Sequence, residues 1–228
     1  MPGTPAISTK RAAQLKTKKH REAERLFLAE GGVLLEEAPS APVRVFDRVE
    51  QLRRVSTLMT PSGPVGVFPF LDVTAGELLA SGLRVVLLHG MQDPGNVGTA
   101  IRSAHAFGAG VALSRGCADL YNPKTVRATM GSIFHTPVAR ELESLDFLTE
   151  AGSAGFGLAA AVPEAGDKPE ALPRGRLVIC IGAEGSGLPE EVVRACEMEV
   201  GIPSLAPSLN ASVAASILLY EAYSRVLP

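Results

Sequence analysis

Tryptophan is absent, and three tyrosines and eight phenylalanines bring the aromatic share of the 228 residues to only 5%. That leaves few rings on which a nucleic-acid base could stack. Cysteine is scarce too. Cys117, Cys180 and Cys196 are odd in number and widely spaced, which excludes a disulfide framework and fits reduced thiols in a cytoplasmic protein. Neither they nor His20, His89, His105 and His135 fall at metal-ligand spacing, so no metal is expected and the histidines read as surface or packing residues. No apolar run approaches the ~18 residues of a membrane span. The opening MPGTPAISTKRAAQLKTKKHR is basic but lacks the apolar core of a secretory signal. No repeat or low-complexity tract interrupts the chain. GxGxxG and Walker A patterns are missing, and no Ser-His-Asp order is visible. Nicotinamide and P-loop chemistries are therefore disfavoured.

What is present describes a folded protein. Hydrophobic residues make up 46% and charged residues 20%, enough apolar matter for a sizeable core. Net charge is −2, but it is unevenly placed. Residues 1–60 carry 11 Lys and Arg against 7 Asp and Glu, a net of +4, and the rest of the chain carries 11 against 17, a net of −6. The basic excess gathers in Lys10, Arg11, Lys16, Lys18, Lys19, Arg21 and Arg25. Such a cluster can follow a phosphate backbone, or simply solvate a helix.

Taken in order, residues 1–9 are rich in loop formers. The pattern from Lys10 to Ala29 predicts a basic helix. A short apolar run, Val33–Leu35, a possible strand, Val43–Phe46, and a helix over DRVEQLRRVS complete a small α/β module. A Pro/Gly break at 60–66 marks a boundary, and the Val65–Phe70 run beyond it fits either side. Apolar runs then alternate with helical stretches. The strands are Leu83–His89, Gly110–Ser114, Gly155–Val162, Arg176–Ile181 and Met198–Val200. The helices are Pro94–Phe107, Asn122–Phe134, Leu145–Gly152 and Pro189–Cys196, and a last one follows Asn210 or Ser212 as its cap. Continuous apolar strands between helices predict a parallel sheet with helices on both faces.

Ligands of such sheets bind at the carboxyl ends of the strands. Three of those ends hold unusual polar and glycine content. One is the Gly90–Arg102 stretch, in which Asn96 and Arg102 lie six residues apart, about one and two-thirds turns, and are expected near one side of the helix start. The second is Gly182 to Pro189, GAEGSGLP. The third is the loop Ile202–Ser212 ahead of the final helix, where small hydroxyl and amide groups meet a helix start. Asn96 and Asn210 can also be plain helix caps, and Glu184 a plain surface acid.

Together, NxGxxxR (Asn96, Gly98, Arg102), GAEGSGLP (Gly182–Pro189) and IP…SLNxSVA (Ile202–Ala214) resemble, in this order, the SpoU/TrmH branch of the SPOUT RNA 2′-O-ribose methyltransferases. RATMGSIFHTPV (Arg127–Val138) is similar to that family's central segment. The resemblance covers roughly 83–226. It implies a C-terminal trefoil knot in the parallel sheet domain, 66–228, preceded by a small basic α/β module, 1–65, that binds substrate RNA. It implies S-adenosylmethionine as methyl donor, with contacts mapping onto Gly182, Ile202 and Leu209. It also implies a homodimer whose site is completed across the interface.

The implied reaction is methyl transfer to a ribose 2′-OH, in ribosomal (23S) RNA rather than tRNA because of the front module. Arg102 matches the family's catalytic arginine. A guanidinium with a pKa above about 12 is a poor base in water, so Arg102 either acts as an unusual base or clamps phosphate. The resemblance further implies that Asn96 holds Arg102, that Glu184 orients the loop, and that Ser208 and Asn210 position ribose, phosphate or the arginine. Lys124 and Arg127 can meet phosphate, and Tyr121 can stack on a base. The Ile202–Ser208 loop is shorter than the family's usual one, and Ala211 stands where valine is common. The alternative is a non-catalytic RNA-binding protein on the same knotted scaffold, with the short loop spoiling the cofactor site.

Overall fold

A computed structural model describes residues 7–61, 63–82, 84–163 and 166–224; the loose opening expected for residues 1–6, and Leu83 at the start of one predicted strand, lie outside them. The N-terminal module begins with α1 (Thr9–Gln14), capped by the Ser8 hydroxyl, which accepts from the Arg11 amide at 3.2 Å. Then follow α2 (Lys18–Glu24), β1 (Leu26–Glu30), α3 (Gly32–Glu36), β2 (Arg44–Phe46), α4 (Val49–Val55) and β3 (Val65–Pro69). The helix expected over Lys10–Ala29 is thus corrected to two helices and a strand. Arg25 ends α2 in the left-handed region, with φ 53°, and Phe27, Leu28 and Ala29 are buried in succession, which a single helical stripe cannot achieve. The Val65 run is the middle strand of an antiparallel sheet of order β1-β3-β2, so it closes the first module.

The second part runs α5 (Ala75–Ser81), β4 (Arg84–Leu88), α6 (Pro94–Ala106), β5 (Gly110–Ser114), α7 (Pro123–Ala128), β6 (Val138–Leu142), α8 (Ser144–Ser153), β7 (Gly157–Ala161), β8 (Leu177–Ile181), α9 (Glu190–Arg194), β9 (Met198–Val200) and α10 (Ala211–Ser224). Its six strands are all parallel, in the order β6-β5-β4-β8-β7-β9. Alternation along the strands separates two cores. Val86, Leu88, Val111, Leu113, Ile179 and Ile181 pack with α6, α7 and α10. Val85, Leu87, Ala112, Val178 and Cys180 face α5, α8 and α9. Each large side chain so buried contributes about 1.5–3 kcal/mol, and helices on both faces are what the apolar strands require. The helix expected over Asn122–Phe134 stops at Ala128, because Met130 and Gly131 take positive φ before a short 3-10 turn at Ser132–Phe134.

Buried polar ties join the two parts. Arg21 donates to the Leu15 and Lys16 carbonyls, at 2.9 Å each, and to Asp119 at 2.5 Å. Arg140 holds Glu22 through two bonds of 2.7 and 3.1 Å and meets Asp72 at 3.2 Å. Arg127 donates to the Thr57 hydroxyl at 2.6 Å, 3.9 Å from the buried Glu30. Arg127 is therefore a tie between modules and not a free phosphate contact. Tyr121 is also corrected. It is fully buried, stacked on Phe70 with centroids 3.8 Å apart, and cannot take a base. Its hydroxyl accepts from the Leu71 and Asp72 amides and donates to the Asp72 carboxylate.

Candidate active site

The site lies where parallel strands end and their loops open. Asp93 caps α6: its Oδ1 accepts from the Asn96 amide at 3.0 Å, and Pro94 supplies a first-turn residue with no amide hydrogen to satisfy. That backbone bond, aided by Lys124 at 3.3 Å, holds the Asp93 carboxyl below the ordinary range. Lys124 is thus paired, on an exposed face. Gly98 lets α6 approach α7, since a Cβ there would stand 2.4 Å from Ala128 Cβ.

After β8 the chain turns through Gly182–Pro189. Gly185 and Gly187 have φ of 89° and 67°, and the Gly187 amide donates to the Ala183 carbonyl at 2.9 Å. Gly182 faces the far side of this turn so closely that a Cβ would lie 2.1 Å from Gly187 C and 2.3 Å from Leu188 N. Only glycine fits. After β9 the loop runs to Asn210, whose Oδ1 accepts from the Ser212 and Val213 amides at 3.0 and 3.1 Å and caps α10.

The three loops converge through one hydrogen-bonded group. Glu184 Oε1 accepts from Asn96 Nδ2 and, at 2.6 Å, from Asn210 Nδ2. Asn210 Nδ2 also donates to Asn96 Oδ1 at 3.1 Å. The buried Ser212 hydroxyl lies 3.2 Å from Asn96 Oδ1 and 2.7 Å from Asn210 Oδ1, and its one proton serves either. Asn210 is therefore a helix cap and a member of the site at once, as Asn96 is through its position on α6.

Around this group opens a cavity of about 860 Å³, within the range of small-molecule sites. Asn96, Gly182, Glu184, Ile202, Ser208, Leu209 and Asn210, all expected from the sequence, line it. Ile181, Leu188, Val200, Ile202 and Leu209 give apolar wall. Its ionisable lining residues are Asp93 and Glu184, with no Lys, Arg or His. The cavity suits a ligand with an apolar ring and a positive charge, and disfavours phosphate. S-adenosylmethionine, an adenine nucleoside bearing a sulfonium and an ammonium, fits that description.

Arg102 stands apart. It is exposed on α6, outside the cavity lining, and makes no hydrogen bond or ion pair among the described residues. Asn96 therefore does not hold Arg102 within one chain: six residues of α-helix turn the two side chains about 120° away from each other, and the Asn96 amide is engaged by Glu184, Asn210 and Ser212. Sequence reasoning saw Ser212 only as a possible cap and missed its role in this group. It also missed Asp93, although an Asp before Pro at a helix start is a visible signal.

Fold and site together define an α/β protein that holds a cofactor-sized ligand at the carboxyl ends of parallel strands. A profile of the SpoU rRNA Methylase family matches residues 83–220. The chain belongs to that family. It is 31% identical over 91% of its length to the 23S rRNA (guanosine(2553)-2′-O)-methyltransferase RlmP of Bacillus subtilis strain 168, covering 92% of that protein. Among solved structures, it superposes on the AdoMet-bound rRNA methyltransferase from Sinorhizobium meliloti with a TM-score of 0.85 and 28% identity, over 96% of this chain and 95% of that one. The SpoU methyltransferase AviRb from Streptomyces viridochromogenes, in complex with AdoMet, gives 0.78 and 28% over 95% and 97%.

Proposed function

We propose that this protein transfers the methyl group of S-adenosylmethionine to a ribose 2′-OH of RNA, with 23S ribosomal RNA as the substrate class. The observation that carries the reading is the single cavity assembled by the three motif loops, with its carboxylate-bearing, partly apolar lining. The short Ile202–Ser208 loop leaves Ile202, Ser208 and Leu209 in that lining, so the non-catalytic alternative has no observation in its favour.

When bound, the cofactor supplies an electrophilic methyl on a cationic sulfur. The chain's own work is placement and polarisation. Backbone around Gly182, Ile202 and Leu209 holds the donor, and Glu184 and Asp93 set a negative potential towards its cationic groups. Asn96, Asn210 and Ser212 lock Glu184 in place. Arg102, with no partner in its own chain, acts on the acceptor: it polarises the 2′-hydroxyl and holds the adjoining phosphate.

Two copies assemble in this reading. Val213, Ile217 and Tyr220 are exposed at positions i, i+4 and i+7 of α10, one apolar stripe with no cover. Pairing along this helix would bring Arg102, on the adjacent α6, towards the partner's cavity. The trefoil knot implied by the family resemblance belongs to the same reading, as do a cytoplasmic location and an RNA-binding role for the N-terminal module. Arg11, Lys18, Arg21 and Arg25 are tied to Glu24, Glu141, Asp119 and Asp72. Lys10, Lys16, Lys19, Arg44, Arg48, Arg53 and Arg54 have no ion pair among the described residues and remain for phosphate. No helix among those residues is long and apolar enough to cross a membrane.

The test is methyl transfer from labelled S-adenosylmethionine to 23S RNA, with the product mapped by primer extension. Arg102→Ala is expected to lose transfer while binding the cofactor normally by calorimetry. Full activity of Arg102→Ala, or no cofactor binding by the wild type, would overturn the reading.

A further inference from the structure

Cys180 and Cys196 lie sixteen residues apart in the chain, yet their sulfurs are 3.7 Å from each other. Cys180 is fully buried on β8, facing the core under α8 and α9. Cys196 follows the end of α9 and is half-buried, open to a small oxidant. The segment between them is the one that carries Gly182–Pro189, and Cys180 stands two residues before Gly182. We propose that Cys180 and Cys196 form a peroxide-oxidisable dithiol whose disulfide closes the Gly182–Pro189 segment and weakens cofactor binding. This rests on the reading of the cavity as the S-adenosylmethionine site.

The chemistry balances with hydrogen peroxide as the oxidant. The Cys196 thiolate attacks one peroxide oxygen, the O–O bond breaks, and the released hydroxide takes a proton to leave as water. Cys196 is now a sulfenic acid. The Cys180 sulfur attacks that sulfur, the S–O bond breaks, and the departing hydroxide takes the Cys180 proton as a second water. The two thiols lose two hydrogens and the peroxide is reduced to two waters.

The surroundings assign these roles. The Cys180 S–H donates to the Cys196 sulfur, and this bond draws the Cys196 thiol below its ordinary range against opposing burial and the nearby Glu197 carboxylate. The same bond, together with burial, pushes Cys180 well above it. Cys196 therefore attacks and Cys180 resolves. As a thiol, Cys196 also donates to the Val192 carbonyl at 3.3 Å, a bond it gives up on ionising.

Disulfide formation shortens the sulfur separation from 3.7 Å to about 2.05 Å, drawing the end of α9 towards β8. The turn between them has no slack: Gly182 already sits against the backbone of Gly187 and Leu188. The movement must therefore reach the cavity wall.

The experiment uses the full-length Cys117→Ser protein, treated with hydrogen peroxide and then with dithiothreitol. Intact mass is expected to fall by two hydrogens, and non-reducing digestion to link the Cys180 and Cys196 peptides. Calorimetry with S-adenosylmethionine is expected to show about tenfold weaker binding, restored on reduction. Cys196→Ser and Cys180→Ser, folded as judged by melting, should give neither the link nor the loss. Accumulation of sulfinic acid without the link overturns the proposal, as does a link that leaves affinity unchanged. If the reduced protein does not bind S-adenosylmethionine at all, the cofactor reading fails, while the mass and digest still decide whether the pair forms a disulfide.

Discussion

Gly182→Ala is the sharpest perturbation of this site. The added Cβ would lie 2.1 Å from Gly187 C, 2.3 Å from Leu188 N and 2.4 Å from Gly187 O, all backbone atoms of the opposite arm of the turn. Tolerable contact begins near 3.4 Å, so the arms must part by about 1 Å or more; a rotamer change cannot relieve a collision with backbone. Overpacking of this kind costs about 1–3 kcal/mol, which for a chain of this size lowers the melting temperature by about 2–12 °C. The larger effect falls on ligand binding, because the displaced arm is the cavity wall. A wall moved by about 1 Å should weaken cofactor binding on the order of a hundredfold. Calorimetry measures the affinity and scanning fluorimetry the melting. Two controls separate collision from loop strain. Gly175→Ala meets nothing within 4 Å at an unstrained φ and should behave as wild type. Gly185→Ala also meets nothing, but at φ 89°, and should lose about 1 kcal/mol of stability with little loss of affinity. Cofactor affinity within twofold of wild type in Gly182→Ala would refute the assignment of this turn as the wall.

Tyr121→Phe removes the acceptor of two backbone amides, at Leu71 and Asp72, and should cost about 2–4 kcal/mol in chemical denaturation while leaving RNA binding by the folded protein unchanged. Asp72 gives a pH signature. Burial pushes its carboxyl up, but the Tyr121 hydroxyl, Arg140 and Arg25 outweigh burial and leave it below the ordinary value. The stabilisation it contributes is thus present above about pH 4 and lost as pH falls through the lowered folded value. The melting difference between wild type and Asp72→Asn should hold from pH 8 to 5 and shrink below 4. Ile217→Asp, on the exposed stripe of α10, is expected to turn a dimer into a monomer by light scattering and to remove most methyl transfer; a dimeric, active variant would refute that interface.

The central strands were legible because their chemistry is unambiguous. Five-residue apolar runs such as VVLL and LVICI, flanked by glycine and by helical stretches, have no stable place but the middle of a covered sheet. β1 was not, because LFLAE continues a basic helical pattern without a break and only its pairing with β3 makes it a strand. β6 was missed for a related reason: it is an edge strand reading VAREL, half polar, and its pairing with β5 is irregular. α5 announced itself through Thr74 and Glu77, a capping box that was there to be read. The site divides along the same line. Gly182, Glu184, Asn96 and Asn210 sit in local motifs. Ser212 joins them only by meeting Asn96 across 116 residues, and Arg21 is removed from the basic cluster by Asp119, 98 residues away. Local pattern carries the strands and loops; which side chains end up engaged is decided by the packing of distant segments.

That distinction bears on Arg102. The amide and carboxylate side chains of the convergent group are bonded within one chain, so the cavity wall needs nothing further to be stable. The arginine that should act beside it is left bare, on the face of α6 that continues into the uncovered stripe of α10. A folded chain gains nothing from exposing an unpartnered arginine next to apolar surface, and a site that must attack a ribose cannot work without polarising the hydroxyl. Both facts are accounted for if one chain supplies the donor cavity and another the acceptor-side arginine. Mixing Arg102→Ala subunits with subunits whose cavity is blocked by Gly182→Ala should then restore transfer in the mixed dimers, which hold one intact composite site. No recovery on mixing, with subunit exchange verified, would place Arg102 and the cavity in the same chain's site.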